Sequence, residues 1–324
     1  MSLRMKREDV HSVKIYFVQP IDLIHVFINT MIEMEYETYI VSEHDREKLL
    51  EIVPQDPRNI VFLCVANRHA VAKWLEYSKR LNESENFAIQ IGAFVYTSMA
   101  EEIKKLFLYN LVSVTSFADL RTNPIEVFTK IFQAFDAKGN RKYIRVVPRD
   151  LSEAFVMVRN REEPVKGRII DLSAAAFACE IDQRSHQYFA KPGNFFQNVL
   201  LHVRGVRIRT PVKLLGFSKE NKNVFIFKYY GTELKDGKRN YTERVSQEVK
   251  QKIHKYITSC LREDMKEKLA KIRIEKKEPK ALNETKEADI EELEAAAGEL
   301  TPSDTEAVDT EEEQTAIEGN KADE

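Results

Sequence analysis

The chain has 324 residues, of which 43% are hydrophobic and 31% are charged, and its formal net charge is −2. This length and apolar content suffice for two buried cores and a tail. No apolar run approaches the roughly 18 residues of a membrane-spanning helix, and the start of the chain is charged, so we expect a cytoplasmic protein. Three cysteines without paired spacing, Cys64, Cys179 and Cys260, are expected to be buried and reduced.

Charge is distributed unevenly along the chain. Residues 278–324 contain 17 acidic and three basic side chains, whereas residues 1–277 contain 47 basic and 35 acidic ones. The positive surplus in the larger part favours an anionic ligand, although a nucleic acid or an acidic partner would be attracted by the same field. The acidic stretch has almost no aromatic residues and cannot bury a core, so residues 275–324 are predicted to form a disordered acidic tail.

Residues 1–137 alternate short apolar runs with amphipathic segments, which predicts an α/β domain with a parallel sheet. The predicted strands are 14–18, 38–41, 59–65, 87–91 and 111–115. The predicted helices are 21–34, 45–52, 69–81, 99–109 and 124–137. Five strand and helix pairs in this order indicate a flavodoxin-like or receiver-like domain.

The ends of these strands lack the side chains of a phosphorylated receiver domain. Such a domain needs an acidic pair after its first strand to hold Mg²⁺ and an Asp after its third strand as the phosphoacceptor. Here the first strand is followed by Gln19, and Asn67 follows the third. A hydroxyl at Thr97 or Ser98 does not replace the missing carboxylates, and a phosphate-binding glycine loop is absent from the sequence. We therefore expect neither an enzyme nor a phosphoacceptor.

Beyond residue 137 the hydrophobic period changes from that of helices to that of strands. The predicted strands are 154–158, 166–170, 177–181, 199–203, 206–215 and 224–230. Six short strands without intervening helices indicate a small antiparallel barrel. A long C-terminal helix is predicted over 241–274, because apolar residues recur there at steps of mostly three or four. Its first half should pack on the barrel, and its second half should project into solvent or pair with a partner helix.

Two short clusters carry the side chains best suited to bind a nucleotide. Arg141 and Arg145 are four residues apart, so a helix or a strand places both on one side, where they can converge on one ligand. A guanidinium group can donate two parallel hydrogen bonds to guanine O6 and N7 or to a phosphate. In the second cluster, the Asp171 carboxylate can accept the N–H groups of a guanine, and the Ser173 hydroxyl can bond a phosphate oxygen or a base edge.

The order and spacing of these clusters resemble the signature of the bacterial PilZ domain, an RxxxR motif followed by [D/N]xSxxG, over residues 138–262. Arg141 and Arg145 match the first motif, and Asp171 and Ser173 match the start of the second. Ala176 stands where the family has Gly, a residue that either adopts a positive φ or allows close approach of a ligand. The resemblance implies a PilZ-like barrel with its C-terminal helix in residues 138–274. It also implies a cyclic di-GMP site at these five positions.

Three functions from different classes remain open. The resemblance implies a cyclic di-GMP receptor in bacterial signal transduction, such as motility regulation, in which ligand binding at the linker changes the domain arrangement or a partner contact. The alternative is a PilZ-like adaptor that binds proteins through the N-terminal domain or the C-terminal helix and binds no nucleotide. The missing carboxylates argue against the third, an enzyme or phosphorylated regulator.

No further cofactor is expected from the sequence. His186, His202 and His254 are scattered along the chain and lack neighbours at the spacing of metal ligands, so we expect no metal site. Nucleic acid is not an expected partner.

Overall fold

The structure is a computed structural model, and it describes residues 13–272 without a few short segments. The segments outside the description are 56–57, 66–70, 83–88, 97–110, 139–141 and 160. All described residues fall within one compact unit, residues 1–274. The finer division at residue 137 stays a prediction. The predicted helix 99–109, together with Asn67, Thr97, Ser98 and the acidic tail, lies outside the described residues.

The first part of the chain, called here the α/β part, folds around a five-stranded parallel sheet. Its strands are β1 (Lys14–Val18), β2 (Glu37–Val41), β3 (Ile60–Val65), β4 (Gln90–Val95) and β5 (Leu111–Ser116). The described helices are α1 (Asp22–Glu33), α2 (Arg46–Ile52), α3 (Val71–Asn82), α4 (Phe117–Thr122) and α5 (Pro124–Ala134). The strand order is β2-β1-β3-β4-β5, which is that of a doubly wound sheet and confirms the predicted α/β architecture.

Aromatic rings fill the core of this sheet. Phe17, Phe62 and Phe94 come from three adjacent strands, and the ring of Phe62 lies 5.2 Å from each of the other two. Phe128 of α5 meets Phe17 edge-on at 5.9 Å. Gly92 is needed for this packing, because a Cβ there would lie 2.4 Å from the Phe62 ring. The glycine therefore marks close packing in the middle of β4.

The second part of the chain closes into a six-stranded antiparallel barrel. Its strands are β7 (Glu153–Val156), β8 (Val165–Ser173), β9 (Ala176–Ile181), β10 (Phe195–Val203), β11 (Val206–Phe217) and β12 (Val224–Tyr229). They follow the order β8-β7-β10-β11-β12-β9, and β9 pairs back onto β8. The six predicted barrel strands are thus confirmed. A two-residue strand that was not predicted, β6 (Arg145–Val146), adds to β8.

The C-terminal helix starts later than predicted. Strands β13 (Gly231–Lys235) and β14 (Lys238–Thr242) form a separate hairpin. Its last two residues, Tyr241 and Thr242, are the first two of the predicted helix. The helix is α6 (Gln247–Lys271), and the Ser246 hydroxyl caps it by accepting a hydrogen bond from Val249 N.

Helix α6 lies between the two parts of the chain. It packs against α1 and β2 of the α/β part and against β6, β8 and β11. Leu261, Met265 and Leu269 in its second half are buried, and together with Ile28 and Ile32 of α1 they line one crevice. The prediction that the second half of this helix projects into solvent or awaits a partner helix is therefore wrong. The apolar positions of that half pack within the chain.

Candidate functional site

The two motif segments lie side by side in one strand ladder. Strand β6 is antiparallel to the end of β8, with Arg145 directly opposite Ser173 and Val146 opposite Leu172. Residues opposite each other in such a ladder project to the same side, with Cβ atoms about 4.5 to 5.5 Å apart. Val146 and Leu172 are buried and anchor the pairing in the core, whereas Arg145 is exposed. The fold thereby joins segments that are distant in the sequence.

The Arg145 guanidinium is available for a ligand. It borders a cavity of about 270 Å³, which is also lined by Arg149 and Lys268. Both of those cations form ion pairs with Asp264: Arg149 Nη2 lies 2.6 Å from its Oδ1, and Lys268 Nζ lies 2.5 Å from its Oδ2. Arg149 also pairs with Glu267. Of the three cations in this cavity, Arg145 alone has no carboxylate partner among the residues that the structure describes. An anion bound there would meet a guanidinium group that has no other ion pair to break.

The Ser173 hydroxyl holds together the turn between β8 and β9. Its Oγ accepts hydrogen bonds from Ala176 N at 3.1 Å and Ala175 N at 3.4 Å, and it donates to the Ala176 carbonyl at 3.0 Å. A hydroxyl has one proton and two lone pairs, so this turn uses its full capacity. The side chain is buried, at 6% exposure. In this structure Ser173 shapes the motif turn from within.

Ala176 adopts an ordinary backbone conformation. It begins β9, and it is absent from the described non-glycine residues with positive φ. Of the two roles open for the family glycine at this position, the left-handed conformation does not apply to this chain. The other role, close approach of a ligand, stays open, and the alanine methyl group is half-buried.

Asp171 lies two residues before Ser173 on β8 and is half-buried. Burial, reinforced by the nearby Asp171 charge, raises the pKa of Tyr229 well above its usual value. The Tyr229 hydroxyl is buried and has no hydrogen-bond partner among the described residues. Tyr229 thus adds an unsatisfied polar group beside the second motif. Arg141 lies outside the described residues, so its position stays a prediction.

A larger cavity, of about 490 Å³, is lined by both motif segments and by the α/β part. Tyr143 comes from the first motif, residues 174–175 form the motif turn, and Glu35 follows α1. Lys228 of β12 also lines it and binds Glu243 at 2.8 Å, a contact that raises the pKa of Lys228. Tyr229 borders the same space. The motif turn therefore adjoins a cavity that has a wall from each part of the chain.

Two of the three histidines considered from the sequence have structural partners. His186 Nε2 lies 3.1 Å from the Ile181 carbonyl oxygen, and His254 Nε2 lies 2.9 Å from Glu35 Oε1. In the described ranges no three His, Cys, Asp or Glu side chains are grouped to hold a metal ion. None of the described helices combines the length and the hydropathy of a membrane span.

Comparison with known proteins identifies distant structural similarity only. No protein family profile matches the chain, and no curated protein matches it. The PilZ domain of YcgR from Escherichia coli, solved with c-di-GMP, is 16% identical over 41% of this chain and 99% of that chain, with a TM-score of 0.31. The longer YcgR structure in complex with c-di-GMP is 15% identical over 42% of this chain and 52% of that chain, with a TM-score of 0.31.

A third similar structure is the MrkH–c-di-GMP complex of K. pneumonia. It is 13% identical over 40% of this chain and 54% of that chain, with a TM-score of 0.29. This chain thus covers about half the length of the longer proteins that it resembles. Similarity this distant transfers neither a ligand nor a function.

Proposed function

We propose that the chain is a PilZ-type receptor for cyclic di-GMP, which binds at Arg141, Arg145, Asp171, Ser173 and Ala176. The observation that carries the proposal is the ladder between β6 and β8, where Arg145 lies opposite Ser173. This pairing brings together in one ladder two motifs that separately are common in proteins. The exposed Arg145 guanidinium group, which has no ion pair with a described residue, suits a ligand that combines phosphates with guanine bases.

The chemistry of the ligand matches the charges available. Cyclic di-GMP has two phosphodiester groups and two guanine bases, and an arginine can bond either group through parallel N–H donors. Each charge-assisted contact of this kind contributes about 1.5 to 3 kcal/mol. Ser173 would act mainly by holding the turn in shape, and Asp171 would accept N–H groups of a base.

The receptor would transmit binding through the segment that connects α5 to the barrel. Arg145 belongs to this segment, which ends in β6, and β6 also packs against α6. A ligand that bridges the first motif and the motif turn would restrain the segment against the barrel. The expected output is a changed arrangement of the α/β part and the barrel, or a changed surface for a protein partner.

The PilZ-like adaptor without nucleotide binding is the second candidate. It is favoured by Ser173, whose hydroxyl has no hydrogen-bonding capacity left while the turn stays intact. In that case the second motif would be retained for folding of the hairpin between β8 and β9.

Calorimetric titration separates the two candidates. The full-length protein is titrated with cyclic di-GMP, and GTP and cyclic AMP serve as controls. A receptor gives saturable heat with cyclic di-GMP alone, and Arg145→Ala abolishes or strongly weakens it. The absence of heat with every nucleotide, from protein with a cooperative melting transition, would favour the adaptor.

A further inference from the structure

Glu35 joins three segments of the chain through one carboxylate. It follows the end of α1 in a left-handed conformation, with φ of 67°, which is uncommon for a residue with a side chain. Its Oε2 accepts a hydrogen bond from Ile144 N at 2.9 Å, and its Oε1 lies 2.9 Å from His254 Nε2. One side chain of the α/β part therefore contacts both the segment that leads into β6 and helix α6.

The contact is largely closed to water. The Glu35 and His254 side chains are 11% and 10% exposed, and Ile144 is 1% exposed. A carboxylate so far removed from solvent has to be satisfied by protein donors. The position of Glu35 is itself fixed, because its N–H donates to the Ile32 carbonyl at the end of α1. The three-segment contact of Glu35, Ile144 and His254, called here the Glu35 clasp, is thus a defined part of the packing.

The clasp lies directly before the ladder that carries the first motif. Ile144 is held by Glu35, and the next two residues, Arg145 and Val146, pair with Ser173 and Leu172. The backbone is therefore fixed on both sides of the Arg145 side chain. A slip by one residue would turn Arg145 to the other side of the strand.

We propose that Glu35 is a positioning residue of the nucleotide site, through which the α/β part and α6 set the register of Arg145 and thereby the affinity for ligand. The inference rests on the proposed function. Its consequence is that the barrel alone does not contain the complete site. Events that move the end of α1, or that move α6 at His254, would change affinity without touching the ligand.

The direction in which removal of Glu35 changes the ligand affinity distinguishes a positioning role from a purely electrostatic one. Glu35 and Glu33 line the 490 Å³ cavity beside the motif turn, whereas Arg145 borders the 270 Å³ cavity. A doubly anionic ligand that reaches from Arg145 to the turn would be repelled by both carboxylates. If charge alone mattered, removal of either carboxylate would strengthen binding. If Glu35 positions Arg145, its removal weakens binding in spite of the lost repulsion. Glu33 is exposed on the last turn of α1 and is therefore a matched control.

The experiment compares Glu35→Ala, Glu35→Gln and Glu33→Ala by calorimetric titration of the full-length protein with cyclic di-GMP. Glu35→Ala should raise Kd roughly five- to tenfold, because one charge-assisted contact and one hydrogen bond are lost. Glu35→Gln should stay within about twofold, since its amide oxygen still accepts from Ile144 N and its amide nitrogen can donate to His254. Glu33→Ala should bind as well as the wild type or slightly more tightly. Equal or tighter binding by Glu35→Ala would overturn the proposal.

Hydrogen exchange tests the clasp without any nucleotide. The amide of Ile144 should exchange faster in Glu35→Ala than in the wild type, whereas Glu33→Ala should leave its rate unchanged. If Glu35→Ala does not fold, His254→Leu removes one of the two contacts and should raise Kd by about two- to fivefold. If the wild type binds no cyclic di-GMP, the proposed function fails, and the role in affinity fails with it. Unchanged exchange at Ile144 would refute the clasp itself, whatever the protein binds.

Discussion

Arg145 and Ser173 lie directly opposite each other across β6 and β8, and their side chains are in contrasting states. Ser173 is buried and its hydroxyl is fully hydrogen-bonded within the motif turn. Arg145 is exposed and has no ion pair with a described residue. Substitution of the serine should therefore affect stability, and substitution of the arginine should affect ligand affinity.

Arg145→Ala should weaken binding of cyclic di-GMP by at least about tenfold, because one charge-assisted contact of roughly 1.5 to 3 kcal/mol is lost. We expect the same of Arg141→Ala. The melting temperature of Arg145→Ala should not change, since its side chain is exposed. Arg209→Ala is the control, because Arg209 is an exposed residue on the outer face of β11 and belongs to neither motif. An unchanged Kd in Arg145→Ala would remove that residue from the site.

Ser173→Ala should lower the free energy of unfolding by about 1 to 3 kcal/mol, because two N–H groups of the buried turn lose their acceptor. Urea denaturation followed by circular dichroism measures this change. Ser218→Ala is the comparison, since Ser218 Oγ accepts one hydrogen bond, from Glu220 N, at an exposed turn. The control should lose only about 0.5 kcal/mol or less. Equal losses in the two variants would contradict the role assigned to Ser173.

Ala176→Gly should raise the affinity for cyclic di-GMP a few-fold at a small loss of stability. Because Ala176 has no positive φ, glycine relieves no strain there and adds freedom to the unfolded chain, which costs about 0.5 to 1 kcal/mol. Removal of the methyl group would let a ligand approach the turn more closely. Paired titration and melting experiments test both effects. A gain in stability would mean that the backbone at this position is strained after all.

The three thiols should react slowly with iodoacetamide at pH 8. Burial raises the pKa of Cys64 and raises that of Cys179 to about 12, and it also raises the pKa of the half-buried Cys260. Because the thiolate is the reactive form, labelling should speed up as the pH rises above the ordinary thiol range, with Cys260 modified first. Intact-mass measurement reports the number of adducts. In denaturant all three should react at ordinary rates, and rapid native labelling at pH 8 would contradict the burial.

The regular elements were predictable where the hydrophobic period was clear. The barrel strand Val206–Phe217 alternates buried and exposed residues for most of its length, so its period identifies it. The fourth strand was predicted too early, at 87–91, because apolar residues continue on both sides of Gln90 and no alternation marks where the strand begins. Strand β6 has two residues, which is too short for any period to appear.

The sequence also contains a hairpin signal, Asp236-Gly237, in a stretch between the last predicted barrel strand and the predicted helix where no element was assigned. Asp236 and Gly237 adopt φ of 53° and 70°, as a two-residue hairpin turn requires. The strands around this turn are almost entirely exposed, so they show no apolar alternation that would mark them as strands.

Only the residues of the candidate site that belong to a sequence motif could be predicted from the sequence. Arg145 and Ser173 belong to a recognisable pattern, and the ladder brings them together. Glu35 gave no local signal, because its partners Ile144 and His254 are 109 and 219 positions away. The burial of Tyr229 beside the charge of Asp171 likewise comes from packing, and no local pattern on β12 reveals it. Contacts between residues so far apart in the sequence become visible only once the three-dimensional structure is known.

Saturating cyclic di-GMP should change the small-angle scattering profile of the protein shortened to residues 1–274, which excludes the predicted disordered tail. Two contacts of α6, that of His254 with Glu35 and that of Asp264 with Arg149, hold the helix to the α/β part and to the segment after β6. A ligand that pulls Arg145 against the motif turn acts on this same segment. The contacts must therefore adjust, and the two parts of the chain should move relative to each other.

Arg145→Ala, which should be occupied to a much smaller extent at the same concentration, is the control for this scattering experiment, and nucleotide should change its profile less than that of the wild type. Met265→Ala is a second variant for this experiment. Met265 is a buried residue of α6 at the place where the helix packs on the α/β part, so its truncation weakens that packing. Weaker packing, by about 2 to 5 kcal/mol, should enlarge the ligand-induced change if α6 resists the movement. Superimposable wild-type profiles despite proven binding would mean that a newly formed surface, and no movement of the two parts, transmits the signal.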